Sequence, residues 1–263
     1  MHGGHETCMI ERMVFGAPAG PPLTERLPDP AGGAPLHVHR DAHVWTWAAA
    51  VAIAGELRRD LELHARCRLL VSPSDTIAPV FRALSRAPLE WERVDVGLID
   101  ERWLQPDDPD SHAAALRRHL LVDHAAVARL EPLTLAGRRL EDAVAIANAH
   151  ARQLPNVLVL TMGNDGHVAA LFPDSPDYPR ALASKQDYIS LDASFSPDAG
   201  PWTRRITATP LGLSRGLSRI LLLRGEVQLR HYEVAAAATD PATSPLAAVR
   251  LAGGEPLQVH WCP

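Results

Sequence analysis

Short apolar segments alternate with stretches of helical periodicity from residue 36 to the end of the chain. Residues 156–162 (NVLVLTM) are nearly continuously apolar, which is typical of a strand covered on both faces of a sheet. The predicted strands are residues 36–39, 67–72, 94–99, 156–162, 206–208, 219–224 and 257–260. Between them, three- and four-residue spacings of apolar side chains predict helices. Four helices are predicted: one that begins after Asp41, one over 76–86, one that begins near Ser111 and one over 141–152.

Alternation of strands and helices predicts an α/β fold. We expect an open, mostly parallel, Rossmann-like sheet with helices on both faces. In such sheets, ligands bind beyond the carboxyl ends of the strands, so the loops after residues 72, 99, 162 and 208 are the first candidates for a site.

The first part of the chain has a different character. Residues 1–35 are rich in proline and glycine and lack periodicity, which predicts a flexible N-terminal extension before a single domain over 36–263. They contain no apolar region of the kind found in signal peptides. The longest apolar run, residues 47–54, is far shorter than the ~20 residues that span a bilayer.

Charge and cysteine content narrow the functional classes. Lys and Arg total 26 against 31 Asp and Glu, for a net charge of −5, which disfavours nucleic acid or an anionic membrane as a partner. Lys185 is the single lysine, so arginine supplies almost all positive charge. The three cysteines, Cys8, Cys67 and Cys262, do not form a disulfide framework, and we expect a cytoplasmic protein.

The loop after residues 156–162 contains the most specific motif, with sequence MGNDGH over 162–167. Gly163 and Gly166 permit positive φ and close backbone approach, so we expect N–H groups there to converge on an anion or oxyanion. His167 is predicted at the start of a short helical turn, with Asp165 orienting its imidazole as a general base. The alternative is an ordinary turn with a surface histidine.

A second polar loop follows residues 94–99 and begins with Asp100-Glu101-Arg102. We expect Arg102 to reach an anionic ligand, with Asp100 or Glu101 holding its guanidinium group. On its own the triplet is weakly specific, because ion pairs are common on surfaces.

Together these loops resemble the 6-phosphogluconolactonase family, whose relatives are the glucosamine-6-phosphate deaminases. The matching segments are WERVDVGLIDERWLQPDDPDS (91–111), MGNDGHVAALFP (162–173), RITAT (205–209) and VHWCP (259–263). The resemblance covers 36–263 and implies a Rossmann-like fold that hydrolyses 6-phospho-D-glucono-1,5-lactone to 6-phosphogluconate, in the pentose phosphate pathway. It implies a small-molecule substrate and neither metal nor cofactor, and we expect a monomer or homodimer.

The resemblance also implies roles for individual residues. His167 corresponds to the base that activates water, and Asp165 to its neighbouring acid. The residues expected to bind substrate are Asp100, Arg102, Thr76, Gly163, Gly166 and Arg205, with Arg205 near the phosphate.

Three parts of the sequence depart from the family pattern. The family's phosphate-binding GGSTP loop is replaced by Pro73-Ser74-Asp75-Thr76-Ile77, in which only Thr76 matches. Gln228 stands where the family tends to have lysine, and His112 where asparagine is frequent. These changes leave open a different lactone substrate, or a catalytically weak or non-catalytic sugar-phosphate-binding protein.

The sequence also leaves other interpretations open. His37 and His39, with His43 nearby, resemble the zinc-binding histidines of amidohydrolase barrels, and His2, His5 and Cys8 form a possible weak metal site. A deaminase or isomerase is a further alternative, although Leu171-Phe172-Pro173 matches the lactonase branch.

Overall fold

The computed structural model describes residues 23–28, 35–153 and 157–263. Its strands are β1 (Thr24–Leu27), β2 (Leu36–His39), β3 (Cys67–Val71), β4 (Val94–Leu98), β5 (Asp100–Arg102), β6 (Arg129–Glu131), β7 (Val157–Thr161), β8 (Tyr188–Asp192), β9 (Arg204–Ala208), β10 (Ser218–Arg224) and β11 (Leu257–Cys262). Its α-helices are α1 (Ala42–Leu63), α2 (Ala78–Leu84), α3 (His112–His119), α4 (Leu140–His150), α5 (Tyr178–Ala183), α6 (Pro210–Leu213), α7 (Glu226–Ala237) and α8 (Pro245–Leu251).

The main sheet confirms the predicted fold class. Its strand order is β1-β2-β11-β10-β7-β3-β4-β6, and every pair is parallel except β1 with β2. A second, antiparallel sheet has the order β5-β9-β8. The central strands β3, β4, β7 and β10 are almost wholly buried, as expected for strands covered on both faces.

The topology places a crevice beside β7 and β3. From β3 the chain continues to β4 and β6 on one side, whereas β7, β10 and β11 follow on the other. The loops after β3 and β7 therefore diverge in opposite directions, and the carboxyl ends of these two strands border an open crevice.

The N-terminal region differs in part from the prediction. Thr24–Leu27, within the predicted extension, pairs antiparallel with β2 at the edge of the main sheet. The strand is exposed along its length, so no buried face marks it in the sequence. Residues 1–22 and 29–34 lie outside the described residues.

The helix that follows β2 begins as predicted. Asp41 caps α1 by accepting hydrogen bonds from the N–H groups of His43 and Val44, at 3.0 and 2.9 Å. Trp45, buried one turn later, donates its indole N–H to the carbonyl of His260 in β11. The cap and this bond fix α1 against the sheet.

Three histidines pack together where β2 meets β11. The His260 ring is stacked on His37 and His39, with centroid distances of 4.6 and 5.1 Å. His39 Nε2 lies 3.0 Å from His260 Nδ1, and His39 Nδ1 lies 3.0 Å from the Thr24 hydroxyl. Burial, with the charge of His37, lowers the pKa of His39 to about 4. Burial, with the nearby histidines and Arg26, lowers that of His260 to about 3.

This cluster predicts a loss of stability in mild acid. The unfolded chain binds protons at these histidines near pH 6.5, whereas the folded chain keeps the rings neutral until lower pH. The free energy of unfolding is therefore expected to fall by roughly 2–4 kcal/mol as the pH drops from about 6.5 to 4. Urea denaturation across this range measures the effect. His39→Gln should reduce the pH dependence and His43→Gln, at an exposed site in α1, should retain it; equal slopes in all three proteins would contradict the assignment.

Candidate active site

A cavity of about 510 Å³ opens at the carboxyl edge of the main sheet. Loops after β3, β5 and β7 line it, together with α3 and the start of α7. Most of the predicted site residues meet here. Those that line the cavity are Thr76, Asp100, Arg102, Gly163, His167 and Arg205. Asp165 contacts His167 from beside the cavity, and Gly166 lies in the same loop.

His167 and Asp165 form a close pair. His167 Nδ1 lies 2.5 Å from Asp165 Oδ1, and the His167 main-chain N–H donates to the same oxygen at 3.1 Å. The two side chains are 25% and 23% exposed, so the pair is shielded yet accessible from the cavity. With Nδ1–H donating to the carboxylate, Nε2 is the ring nitrogen that carries the lone pair.

The environment of Asp165 favours its charged form. Burial alone raises the pKa of Asp165, but hydrogen bonds from the ring and main chain of His167, with its electrostatic attraction, bring it below its usual range. On its other side, the imidazole packs against Phe172 with ring centroids 4.5 Å apart. The carboxylate and the phenyl ring together fix the orientation of His167.

The loop around His167 is a compact turn rather than the predicted helical start. The Gly163 N–H donates to the His167 carbonyl at 2.9 Å, and the Gly166 N–H donates to the Gly163 carbonyl at 3.0 Å. Because both groups close the loop, the N–H groups of Gly163 and Gly166 themselves do not donate toward an oxyanion. Gly166 does adopt the predicted positive φ, at 86°.

Gly163 is required for another reason, namely the closeness of the pair. A Cβ at this position would lie 2.3 Å from both Cε1 and Nδ1 of His167, and 2.6 Å from Asp165 Oδ1. No side chain fits at such distances. The absence of a side chain at residue 163 therefore allows Asp165 and His167 to pack against the main chain.

The Asp100-Glu101-Arg102 segment forms the short strand β5, where the sequence predicts a loop. Asp100 accepts a hydrogen bond from the Ser72 hydroxyl at 2.6 Å, and its carbonyl oxygen is 2.9 Å from His112 Nδ1. Glu101 is fully buried and accepts main-chain hydrogen bonds from Arg102, His112 and Ala113. Burial raises the pKa of Glu101. Glu101 therefore joins β5 to the first turn of α3.

Neither acidic residue holds the guanidinium of Arg102, contrary to expectation. Arg102 Nη1 instead donates to the Asp110 carbonyl at 2.6 Å. Its cross-strand neighbour Arg205 donates from Nη2 to the Ala199 carbonyl at 2.6 Å. The buried Nε atoms of both arginines have no hydrogen-bond partner among the described residues. Such donors, lining a cavity, are suited to an anionic ligand.

Arg205 is almost completely buried, at 4% exposure. Burial lowers the pKa of Arg205; Asp100 partly opposes this change and Arg102 adds to it. Its guanidinium carbon lies 5.8 Å from the centroid of Phe172, the ring that also contacts His167. Phe172 thus links the arginine to the histidine–aspartate pair.

The positions that depart from the family pattern also line the cavity. Pro73, Ser74, Asp75 and Thr76 form its wall after β3. Gln228 accepts the Arg224 N–H at 2.9 Å, and its amide nitrogen is 3.5 Å from Asn164 Oδ1. These segments therefore contribute no positive charge to the cavity.

Several cavity residues were not predicted from the sequence. They include Arg118 and His119 near the end of α3, Asp198 and Asn164. The spacing from Ser111 through Ala115 to Arg118 places these residues on one helical face, and this is the signal that could have identified Arg118.

The metal-site hypothesis receives no structural support within the described residues. No group of three His, Cys, Asp or Glu side chains in 23–28, 35–153 and 157–263 is arranged to bind a metal ion. His37 and His39 pack on His260, and the main sheet is open rather than a barrel, so the amidohydrolase comparison is wrong. His2, His5 and Cys8 lie outside the described residues.

The helices of the described chain include none with the length and apolar character to cross a membrane.

Known proteins are similar to this chain in sequence and in fold over most of their length. The family described as "Glucosamine-6-phosphate isomerases/6-phosphogluconolactonase" matches residues 40–261. A 6-phosphogluconolactonase of Xylella fastidiosa (strain 9a5c) is 41% identical over 220 residues, which cover 82% of this chain and 92% of that protein. One from Pseudomonas aeruginosa is 35% identical over 229 residues, covering 84% and 94%.

The solved structures agree with the sequence comparison. The crystal structure of a 6-phosphogluconolactonase from Shewanella baltica OS155 superimposes with a TM-score of 0.79 at 27% identity, and the match covers 87% of this chain and 97% of that one. These findings confirm the resemblance carried by the two loops. The chain belongs to the glucosamine-6-phosphate isomerase/6-phosphogluconolactonase family.

Proposed function

We propose that this protein is a cytoplasmic lactone hydrolase that converts 6-phospho-D-glucono-1,5-lactone to 6-phosphogluconate. The observation that carries the proposal is the 2.5 Å contact between His167 and Asp165, in a cavity that also contains Arg102 and Arg205. Relatives named 6-phosphogluconolactonase, with 35–41% identity over most of the chain, support the same substrate.

In the proposed reaction His167 acts as the general base. Its Nε2 takes a proton from water while the water oxygen attacks the lactone carbonyl carbon. The tetrahedral intermediate then breaks the bond between this carbon and the ring oxygen, and the ring oxygen receives the proton from His167. Asp165 holds the imidazole in the required tautomer and stabilises its transient positive charge, as the acidic member of other histidine pairs does.

Arginines supply the positive charge for the substrate in this proposal. Arg102 and Arg205 are both anchored through Nη atoms, with their Nε donors unpartnered among the described residues. Asp100, Thr76 and the glycine-containing loop at Gly163 and Gly166 shape the remaining wall. Because Gly163 and Gly166 donate their N–H groups within the loop, the developing oxyanion is expected to be stabilised by side chains rather than by these two groups.

Separate assays with two substrates test the reaction class. The purified protein is expected to accelerate loss of 6-phosphogluconolactone above its spontaneous hydrolysis, and to release no ammonia from glucosamine 6-phosphate. Ammonia release without lactone hydrolysis would identify a deaminase, and inactivity on both compounds would contradict an enzymatic role of this kind.

Arg102→Ala and Arg205→Ala should weaken substrate binding more than turnover. Loss of one charge-assisted hydrogen bond costs about 1.5–3 kcal/mol, so KM for the phosphorylated lactone is expected to rise roughly 10- to 150-fold. Steady-state kinetics with 6-phosphogluconolactone measures this change. Arg204→Ala, at an exposed neighbouring position in β9, serves as the control. Unchanged KM in both Arg102 and Arg205 variants would show that the phosphate binds elsewhere.

A further inference from the structure

A third arginine, Arg118, shares the cavity with Arg102 and Arg205. Arg118 lies near the end of α3, one turn after Ala115, and both residues line the cavity. Alanine at 115 keeps the intervening helix surface small, which leaves space above it for a ligand. The neighbouring Arg117 is not among the cavity-lining residues and donates to the Pro106 carbonyl instead.

Arg118 and Arg102 are held side by side by one loop. Arg118 Nη2 donates to the carbonyl of Pro109 at 3.2 Å, and Arg102 Nη1 donates to the carbonyl of the next residue, Asp110, at 2.6 Å. In the described part of the chain, both guanidinium groups thus hydrogen-bond to neutral main-chain oxygens. Two like charges anchored on adjacent residues repel each other unless an anion lies between them.

Two of the carboxylates that line the same cavity accept hydrogen bonds from donors other than these arginines. Asp100 accepts from the Ser72 hydroxyl, and the Asp110 carboxylate accepts from the Trp202 indole at 3.2 Å. Asp75 raises the pKa of His119, opposing the larger lowering by burial and by Arg82 and Arg118. Asp75, Arg82 and Arg118 therefore all lie near His119.

We propose that Arg118 and Arg102 form a two-arginine clamp for the phosphate group of the substrate, so that α3 supplies charge that the Pro73–Thr76 segment and Gln228 lack. This inference rests on the proposed function and assigns its phosphate-binding residues. A pair of planar guanidinium groups presents several N–H donors to the oxygens of one phosphate. Pro73 has no N–H. Gln228 is neutral, and its side-chain oxygen accepts a hydrogen bond from the Arg224 main-chain N–H. Specificity for a phosphorylated lactone would therefore depend on a residue outside the family's phosphate loop.

The test compares Arg118→Gln with Arg117→Gln. The two arginines are adjacent, exposed and each bonded to a loop carbonyl, but only Arg118 lines the cavity. Arg118→Gln is expected to raise KM for 6-phosphogluconolactone at least about tenfold, with kcat changed less than about threefold. KM for unphosphorylated glucono-1,5-lactone should stay unchanged, and Arg117→Gln should match the wild type with both substrates.

A binding measurement separates this clamp from the proposed reaction. Titration calorimetry with 6-phosphogluconate requires no turnover, and Arg118→Gln is expected to weaken binding by a similar factor. If the wild type hydrolyses the phosphorylated lactone but Arg118→Gln and Arg117→Gln behave alike, the clamp is wrong and the function stands. If the wild type is inactive yet Arg118→Gln alone weakens 6-phosphogluconate binding, the clamp stands and the function is wrong. Equal KM increases for both lactones would also overturn the clamp, because the effect would not depend on phosphate.

Discussion

His167→Ala is expected to lower kcat for 6-phosphogluconolactone by roughly 10²–10⁴-fold, the usual contribution of a positioned general base. The imidazole is one of two partners in the 2.5 Å pair with Asp165, and its removal leaves the cavity without another base in the same position. Initial rates, corrected for spontaneous lactone hydrolysis, measure the loss. A melting temperature close to that of the wild type is required for the comparison.

A second variant distinguishes chemistry from packing in that experiment. Asp165→Asn keeps the size of the side chain but removes its charge, so kcat should fall while KM changes little. The wild-type carboxylate is charged near neutral pH, because the pKa of Asp165 lies below its usual range. Near wild-type turnover in His167→Ala would contradict a histidine base.

Gly163→Ala is expected to reduce kcat about 10²-fold or more while leaving the protein folded. The added Cβ would lie 2.3 Å from the His167 ring, so the ring must move away from Asp165. A displacement of about 1 Å is enough to cost 10²-fold in rate. Kinetics, with a crystal structure of the variant, would show the loss and the displaced ring.

Gly55→Ala is the matched control. Gly55 lies within α1, and a Cβ there meets nothing within 4 Å. Alanine at an open helical position is expected to leave activity unchanged and to increase stability by up to about 1 kcal/mol. If Gly163→Ala retains full activity, the close packing of His167 against the main chain has no part in catalysis.

The sequence predicted the main sheet because its buried strands are apolar. Every strand predicted from an apolar segment is present, including β7, whose four buried residues form the start of the Val157–Thr161 strand. The strands that were missed are β1, β5, β6 and β8. β1 is exposed, and β5 and β6 have three residues each, so their pairing depends on neighbours distant in sequence rather than on their own pattern.

In the site, too, contacts between near neighbours in sequence could be predicted, whereas contacts that depend on distant residues could not. Asp165 and His167 are two residues apart, so the motif alone predicts their contact. The N–H groups of Gly163 and Gly166 form hydrogen bonds within the loop because of the way the loop closes, and the motif does not specify that closure. Glu101 helps to fix the first turn of α3, the helix that carries Arg118, against β5, and this contact is not evident from the sequence.

The most direct measurement is kcat/KM of the wild-type protein for 6-phosphogluconolactone and for glucono-1,5-lactone under identical conditions. Charge-assisted contacts from the cavity arginines are expected to favour the phosphorylated lactone by at least about 10²-fold, equivalent to about 2.7 kcal/mol. That preference should accompany a rate well above spontaneous hydrolysis. Equal kcat/KM for the two lactones, or no acceleration of either, would contradict the account of this site as a phosphate-dependent lactone hydrolase.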